Sequence, residues 1–250
     1  MSDTRKAIEN DHASRVREMF ATIAGRYDLL NHLLSGQMDK RWRRLTARRL
    51  GERLEAKEAV VLDVACGTGD LSLELFETIG ARVVATDFCR PMLDIAVRKV
   101  AKAIPAGSGL ASIPLIEGDA LHLPFLNSSF DGATIAFGLR NLSNVERGLA
   151  ELFRVLKPGA SLAVLEFSKP VVPGFSFLFK AYFTKLLPFV GGMISGSRSA
   201  YQYLPDSVSR FPDQKELVAR MKQIGFERVE YQNLTGGIAA LHLASRPHEI

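Results

Sequence analysis

Cysteine is nearly absent, with 2 in 250 residues. So few thiols cannot staple a chain of this length, and no Cys/His run has zinc-ligand spacing. The 5 histidines are scattered at positions 12, 32, 122, 242 and 248, so no metal site is expected. A reducing, cytoplasmic compartment is the natural reading. Long apolar runs are missing too: nothing approaches about 18 uninterrupted apolar residues, which excludes a spanning helix. The most apolar segment, Val171 to Ile194, is broken by Lys180, Lys185, Pro173 and Pro188, though a helix lying on a membrane remains compatible with it. The opening residues MSDTRKAIENDH contain no apolar core of the signal-peptide kind. With 47% hydrophobic and 24% charged residues, a disordered tail protein is excluded as well.

Charge of one sign is present only in modest excess: 32 Lys+Arg against 27 Asp+Glu, a net of +5. Residues 1–58 carry 13 basic and 9 acidic side chains, residues 59–168 carry 9 and 12, and residues 169–250 carry 10 and 6. The positive charge therefore sits on two flanks of an acidic middle. Nucleic acid, an anionic membrane surface and plain solubility all remain open as its meaning.

From His12 to Leu34 the apolar spacing is helical, and Lys40 to Leu54 predicts a second helix with Trp42, Leu45, Leu50 and Leu54 among seven basic residues. The pattern then alternates. Strand-length apolar runs occur at Val60–Ala65, Arg82–Thr86, Ile113–Glu117, Gly132–Phe137, Ser161–Glu166, Arg228–Tyr231 and Ala239–Ala244. Helices are expected between them at Asp70–Thr78, Pro91–Ala103, Val145–Leu156 and Asp213–Ile224. Such alternation implies a mostly parallel sheet covered on both faces. The last two runs are too close for a crossover helix, so the last strand should run antiparallel to its neighbour. Residues 170–205 form an apolar, aromatic insertion (Phe175, Phe177, Phe179, Tyr182, Phe183, Phe189) expected to shape a substrate pocket.

The first strand leads into Asp63-Val-Ala-Cys-Gly67-Thr68-Gly69-Asp70. Glycines at 67 and 69 allow a tight strand-to-helix turn close to a ligand, but Ser72 stands where a dinucleotide fingerprint has its third glycine. Asp70 would also repel a pyrophosphate at the helix start. A cationic, phosphate-free ligand has no such conflict, which favours S-adenosylmethionine over a nicotinamide cofactor. Asp87 ends the second strand, where a carboxylate accepts ribose hydroxyls, or merely caps a helix. In Gly118-Asp119-Ala120, Asp119 suits an adenine amino group and a backbone N–H a ring nitrogen, or Asp119 is a turn residue. Their joint order and spacing favour the cofactor reading.

These motifs, with Leu123-Pro-Phe125 and Ser129-Phe-Asp131, resemble the class I S-adenosylmethionine-dependent methyltransferases. The flanks are more specific. Phe20-Ala-Thr-Ile-Ala-Gly-Arg-Tyr27-Asp28-Leu-Leu-Asn31-His-Leu-Leu-Ser35, Phe137-Gly-Leu-Arg140-Asn141, Arg154-Val-Leu-Lys-Pro-Gly159, Tyr201-Gln-Tyr203-Leu-Pro205 and Leu234-Thr-Gly-Gly resemble the C-methyltransferases of menaquinone and ubiquinone biosynthesis. Asp39 departs from that family's usual His. The resemblance implies a seven-stranded Rossmann-like fold in a single domain over 1–250, with a helical cover at 12–54, a cofactor core at 59–168, the insertion at 170–205, and a helix and hairpin at 213–246. It implies cofactor contacts from Asp63, Gly67, Thr68, Gly69, Asp87, Asp119 and Ala120.

The reaction so implied is methylation of a ring carbon of demethylmenaquinol, or of the benzoquinol precursor of ubiquinone, or of another apolar small molecule. Arg140 and Asn141 are expected to stabilise a phenolate, unless Arg140 is bound up with Asp28 or Glu166. Tyr27, Asp28 and Tyr203 are expected in the acceptor pocket, whereas Cys66 and Cys89 suit small buried packing. A polyprenyl quinol partner implies peripheral contact with the inner face of the cell membrane through Lys180, Lys185 and Lys40–Arg49, although a charge run is more often a solvated face. No nucleic-acid motif accompanies the basic helix. A homo-oligomer is left open.

Overall fold

The computed structural model describes residues 2–56, 58–104, 113–172 and 198–248. Among them, seven strands form one sheet in the order β3-β2-β1-β4-β5-β7-β6. The strands are β1 (Val60–Val64), β2 (Arg82–Asp87), β3 (Leu115–Glu117), β4 (Phe130–Ala136), β5 (Leu156–Phe167), β6 (Glu227–Leu234) and β7 (Ala239–Ser245). The pairings of β1 to β5 are all parallel, and β7 runs antiparallel to both β5 and β6. The expected topology is borne out: only a tight 3-10 turn, Thr235–Gly237, joins β6 to β7.

Alternation along the central strands feeds two apolar layers. Val61 points to one face with Leu71, Leu75 and Val83, while Leu62 and Val64 point to the other with Leu149, Leu152 and Leu217. The first layer is closed by α3 (Met38–Gly51), α4 (Asp70–Ile79) and α5 (Arg90–Ala103); the second by α6 (Val145–Val155) and α8 (Gln214–Ile224). Local chemistry sets the ends of these helices. Asn144 accepts the Arg147 N–H at the start of α6, and Asp213 accepts that of Glu216 at the start of α8.

The first expected helix is in fact two, α1 (Ser2–Ile23) and α2 (Tyr27–Leu34), separated by a 3-10 turn at Ala24–Arg26. Across the break Phe20 meets Tyr27 edge to face, 5.9 Å between ring centroids. The second ends at Gly51 rather than Leu54, and β5 begins five residues before the expected Ser161 because Leu156 pairs with Phe130. Of the aromatic insertion, residues 173–197 lie outside the described residues, including all six named aromatics, Lys180 and Lys185; its end forms α7 (Arg198–Arg210), with Pro205 inside the helix.

Candidate active site

A cavity opens at the carboxyl ends of β1 to β4, where the strand order reverses between β1 and β4. Open α/β sheets place their ligands at such a crevice. It holds about 720 Å³ of non-atom space, open solvent at its mouth included. Its walls come from the strand ends (Ala65, Gly67, Asp87, Phe88, Asp119, Ala120), from the turn after β4 (Phe137, Gly138, Asn141), and from the cover (Ala13, Phe20, Tyr27). The strand ends bend sharply there: Ala65 and Phe137 hold φ of 53° and 57°, a region L-residues rarely adopt. Nothing in the sequence marks these two positions, since neither is glycine.

Of the expected cofactor residues, Gly67, Asp87, Asp119 and Ala120 line the cavity. Asp87 accepts the N–H groups of Gly67 and Cys89, both at 2.8 Å, so the strand-end carboxylate also shapes the glycine turn. Burial pushes its carboxyl above the usual range, against those two donors. Asp119 accepts the Leu121 N–H at 2.9 Å. Asp63 lies behind the turn and is buried: its carboxylate accepts Ser72 Oγ at 2.6 Å and Thr134 Oγ1 at 2.8 Å. Desolvation raises its pKa to about 6. Gly69, at φ 83°, starts α4 in a conformation suited to glycine.

Thr68 faces away from the cavity into a polar network that ties the cover to the glycine turn. Its hydroxyl donates to Asp28 at 2.5 Å, and Lys99 Nζ reaches Asp28 at 2.9 Å, Thr68 at 3.3 Å, and also Asp70. Arg43 pairs with Asp39 at 2.5 Å and lies 3.6 Å from Asp70; His32 and Ser35 each approach Asp39 at 2.7 Å. His32, Asp39 and Asp70 cluster closely enough to suggest a metal, but Arg43 and Lys99 already meet the two carboxylates. The network also amends the argument from Asp70. Its charge is compensated, and what shields this helix start is the cover lying across it. Lys99, on α5, is a residue that no motif in the sequence singles out.

Asp28 belongs to this network and lines a separate recess with Arg98 and Lys102 rather than the cavity. Tyr27 does line the cavity, and burial pushes its phenol up, as it does that of Tyr203. Tyr203, on α7, is not among the residues that line this cavity. Arg140 donates from Nη1 to Glu166 and to the Phe137 carbonyl, both at 2.6 Å, with its side chain 7% exposed. The pairing with Glu166, the structural alternative of the sequence reading, is thus present. Asn141 lines the cavity; its amide N–H donates to Phe137 O at 3.1 Å, and its Oδ1 is buried without a partner among the described residues. Beneath this turn Phe137 packs on Phe167 (4.8 Å between centroids) and on Trp42 (6.2 Å). The two cysteines are free thiols that burial keeps protonated.

Solved structures share this architecture. An S-adenosylmethionine-dependent methyltransferase of Thermotoga maritima superposes with a TM-score of 0.62 at 16% identity, covering 92% of this chain and 99% of that one. The [4+2]-cyclase SpnF superposes at 0.67 with 18% identity, covering 94% and 96%; at these identities the likeness is one of fold. Fold, glycine turn and strand-end carboxylates define a class I S-adenosylmethionine-dependent methyltransferase. The ubiE/COQ5 methyltransferase family model matches residues 8–246. This chain belongs to that family. A demethylmenaquinone methyltransferase of Thermus thermophilus is 49% identical over 92% of this chain and 100% of its own length. Another, of Deinococcus radiodurans, is 44% identical over 95% of each chain. The ubiquinone/menaquinone biosynthesis C-methyltransferase UbiE of a Geobacter species is 43% identical over 95% of this chain and 98% of its own.

Proposed function

We propose that this single-domain enzyme methylates a ring carbon of demethylmenaquinol. The reading is carried by one cavity that combines the carboxylates Asp87 and Asp119 with the aromatic and amide groups of Tyr27 and Asn141. The names of its relatives agree. When bound, S-adenosylmethionine supplies an electrophilic methyl group on a cationic sulfur. The cavity fits this ligand: it offers acceptors on two strand ends, apolar walls at Phe88 and Met92 and, among the described residues, no cluster of lysines or arginines for a pyrophosphate. Asp87 accepts the ribose hydroxyls with the lone pairs its two backbone donors leave free. Asp119 and the Ala120 N–H hold the adenine edge. Gly67 brings the backbone close, while Asp63, Thr68 and Gly69 hold the turn's shape from behind.

On the acceptor side the chain must orient the ring and stabilise the oxyanion that makes the adjacent ring carbon nucleophilic. Tyr27 donates towards it, Asn141 Oδ1, without a partner among the described residues, accepts from a ring hydroxyl, and Tyr203, near Arg140, helps close the acceptor side. Arg140 acts mainly by position: pinned to Glu166, it fixes the turn that carries Asn141. Incubation with methyl-labelled S-adenosylmethionine and reduced demethylnaphthoquinone or demethylated benzoquinone acceptors, followed by product mass, tests the assignment. Label in the naphthoquinol is expected; label in the benzoquinol as well would broaden the acceptor range to that of the UbiE relatives.

A bilayer-resident acceptor requires the enzyme to visit a membrane surface, and no described helix is long and apolar enough to cross one. Half of the expected basic face on α3 is engaged within the molecule. Arg43 holds Asp39, Arg44 holds Glu74, and Arg49 bridges Glu52 and Glu230. Lys40, Arg41 and Arg48 are the side chains of this helix left to face anionic headgroups.

A further inference from the structure

The segment that carries the adenine-side residues, Asp119 to Asn127, contains no regular secondary structure beyond a single bridge between Asp119 and His122. Its own hydrogen bonds are few: Leu121 N–H to the Asp119 carboxylate, His122 N–H to Asp119 O, and Phe125 N–H to Leu123 O. One face of α6 holds the rest of it. Arg147, Glu151 and Arg154 lie at i, i+4 and i+7, spacing that puts all three on one side of the helix. Arg147 Nε donates to Leu121 O at 3.1 Å. Glu151 Oε2 accepts the Leu123 N–H at 2.8 Å. Arg154 donates to Leu123 O at 3.0 Å, Phe125 O at 2.8 Å and Asn127 Oδ1 at 2.9 Å. Its remaining two donors grip both oxygens of Glu151 at 2.8 Å each.

All five guanidinium N–H groups of Arg154 are thus used in one fixed fork, which a lysine cannot reproduce. The loop is half exposed, so water could have satisfied much of its backbone; instead Glu151 and Arg154, bonded to each other, meet it as one rigid unit. Each shifts the other in the direction of charge, Glu151 down and Arg154 up. We infer that Glu151 and Arg154, aided by Arg147, are positioning residues that set selectivity for adenine by fixing where the Asp119 carboxylate and the Ala120 N–H point into the cavity. This rests on the cofactor reading above, in which those two groups meet the adenine edge.

The test compares binding of S-adenosylhomocysteine and S-inosylhomocysteine by calorimetry. The inosine base carries an oxygen where adenine carries its amino group, so it meets the Asp119 carboxylate with like polarity. Wild type is expected to prefer the adenosyl ligand. Arg154→Lys should weaken that ligand about tenfold and leave the inosyl ligand nearly unmoved, so the preference collapses while kcat at saturating cofactor and the acceptor KM hold. Glu151→Gln, which keeps an acceptor for the Leu123 N–H, should retain more of the preference than Glu151→Ala; this pair keeps the test intact if the Arg154 variant does not fold. A preserved preference in folded variants, or equal weakening of both ligands, overturns the inference. Absence of any preference in wild type overturns the reading of Asp119 itself.

Discussion

Two buried titratable side chains respond to pH in opposite senses. Asp63, raised to about 6, binds its proton more tightly folded than unfolded. Its stabilising contribution is therefore complete below the ordinary carboxylate pKa and is lost as pH rises towards 6. His242, buried with its ring nitrogen bonded to Gln214 O at 3.1 Å, is lowered to about 4. It costs stability as pH falls from about 6.5 to 4, because only the unfolded chain takes up the proton. Asp63→Asn isolates the first effect. Relative to that variant, wild type should lose on the order of 3 kcal/mol between pH 4 and 6.5, read as diverging Tm profiles; parallel profiles would contradict the assignment. At Arg140, substitution by Ala strands the carboxylate of Glu166, 1% exposed, in the protein interior. A loss of about 3–5 kcal/mol in stability is expected by chemical denaturation, and loss of turnover without loss of stability would restore a direct catalytic role.

The strand–turn–helix units around the cavity were legible because parallel strands buried on both faces leave predominantly apolar runs, and glycines 67 and 69 mark the turn after the first. What connects these elements was not. The Lys99 contacts join positions 28, 68, 70 and 99 across three separate parts of the chain, and neither periodicity nor local spacing encodes such a meeting. For Arg140 the sequence narrowed the partner to Asp28 or Glu166, and the neighbouring strand, 26 residues on, supplies Glu166. Lys99→Met should loosen the docking of α2 on the glycine turn. The groups are 21–29% exposed, so the effect is modest: cofactor affinity about fivefold weaker, ~1 kcal/mol, with faster amide exchange in residues 27–35. Gly138→Ala tests the turns themselves. Its Cβ would stand 2.5 Å from that of Ala65, so about 1–3 kcal/mol of stability should be lost, together with cofactor binding by calorimetry.

Over the whole molecule, the surplus of +5 divides into basic flanks around an acidic middle that contains the cavity's carboxylates. The structure narrows what this surplus can do, since ion pairs engage half of the basic side chains on α3. Flotation with vesicles should show association with anionic lipid that falls with salt, and none with neutral lipid; no binding to either would remove the membrane step. The central claim is that one cavity brings a methyl donor and a reduced quinol ring together. Single-turnover incubation with methyl-labelled S-adenosylmethionine and reduced demethylnaphthoquinone tests it most directly. The account predicts a product heavier by one methyl group with the label on a ring carbon; label on oxygen, or no labelled product from a folded, cofactor-binding enzyme, would contradict it.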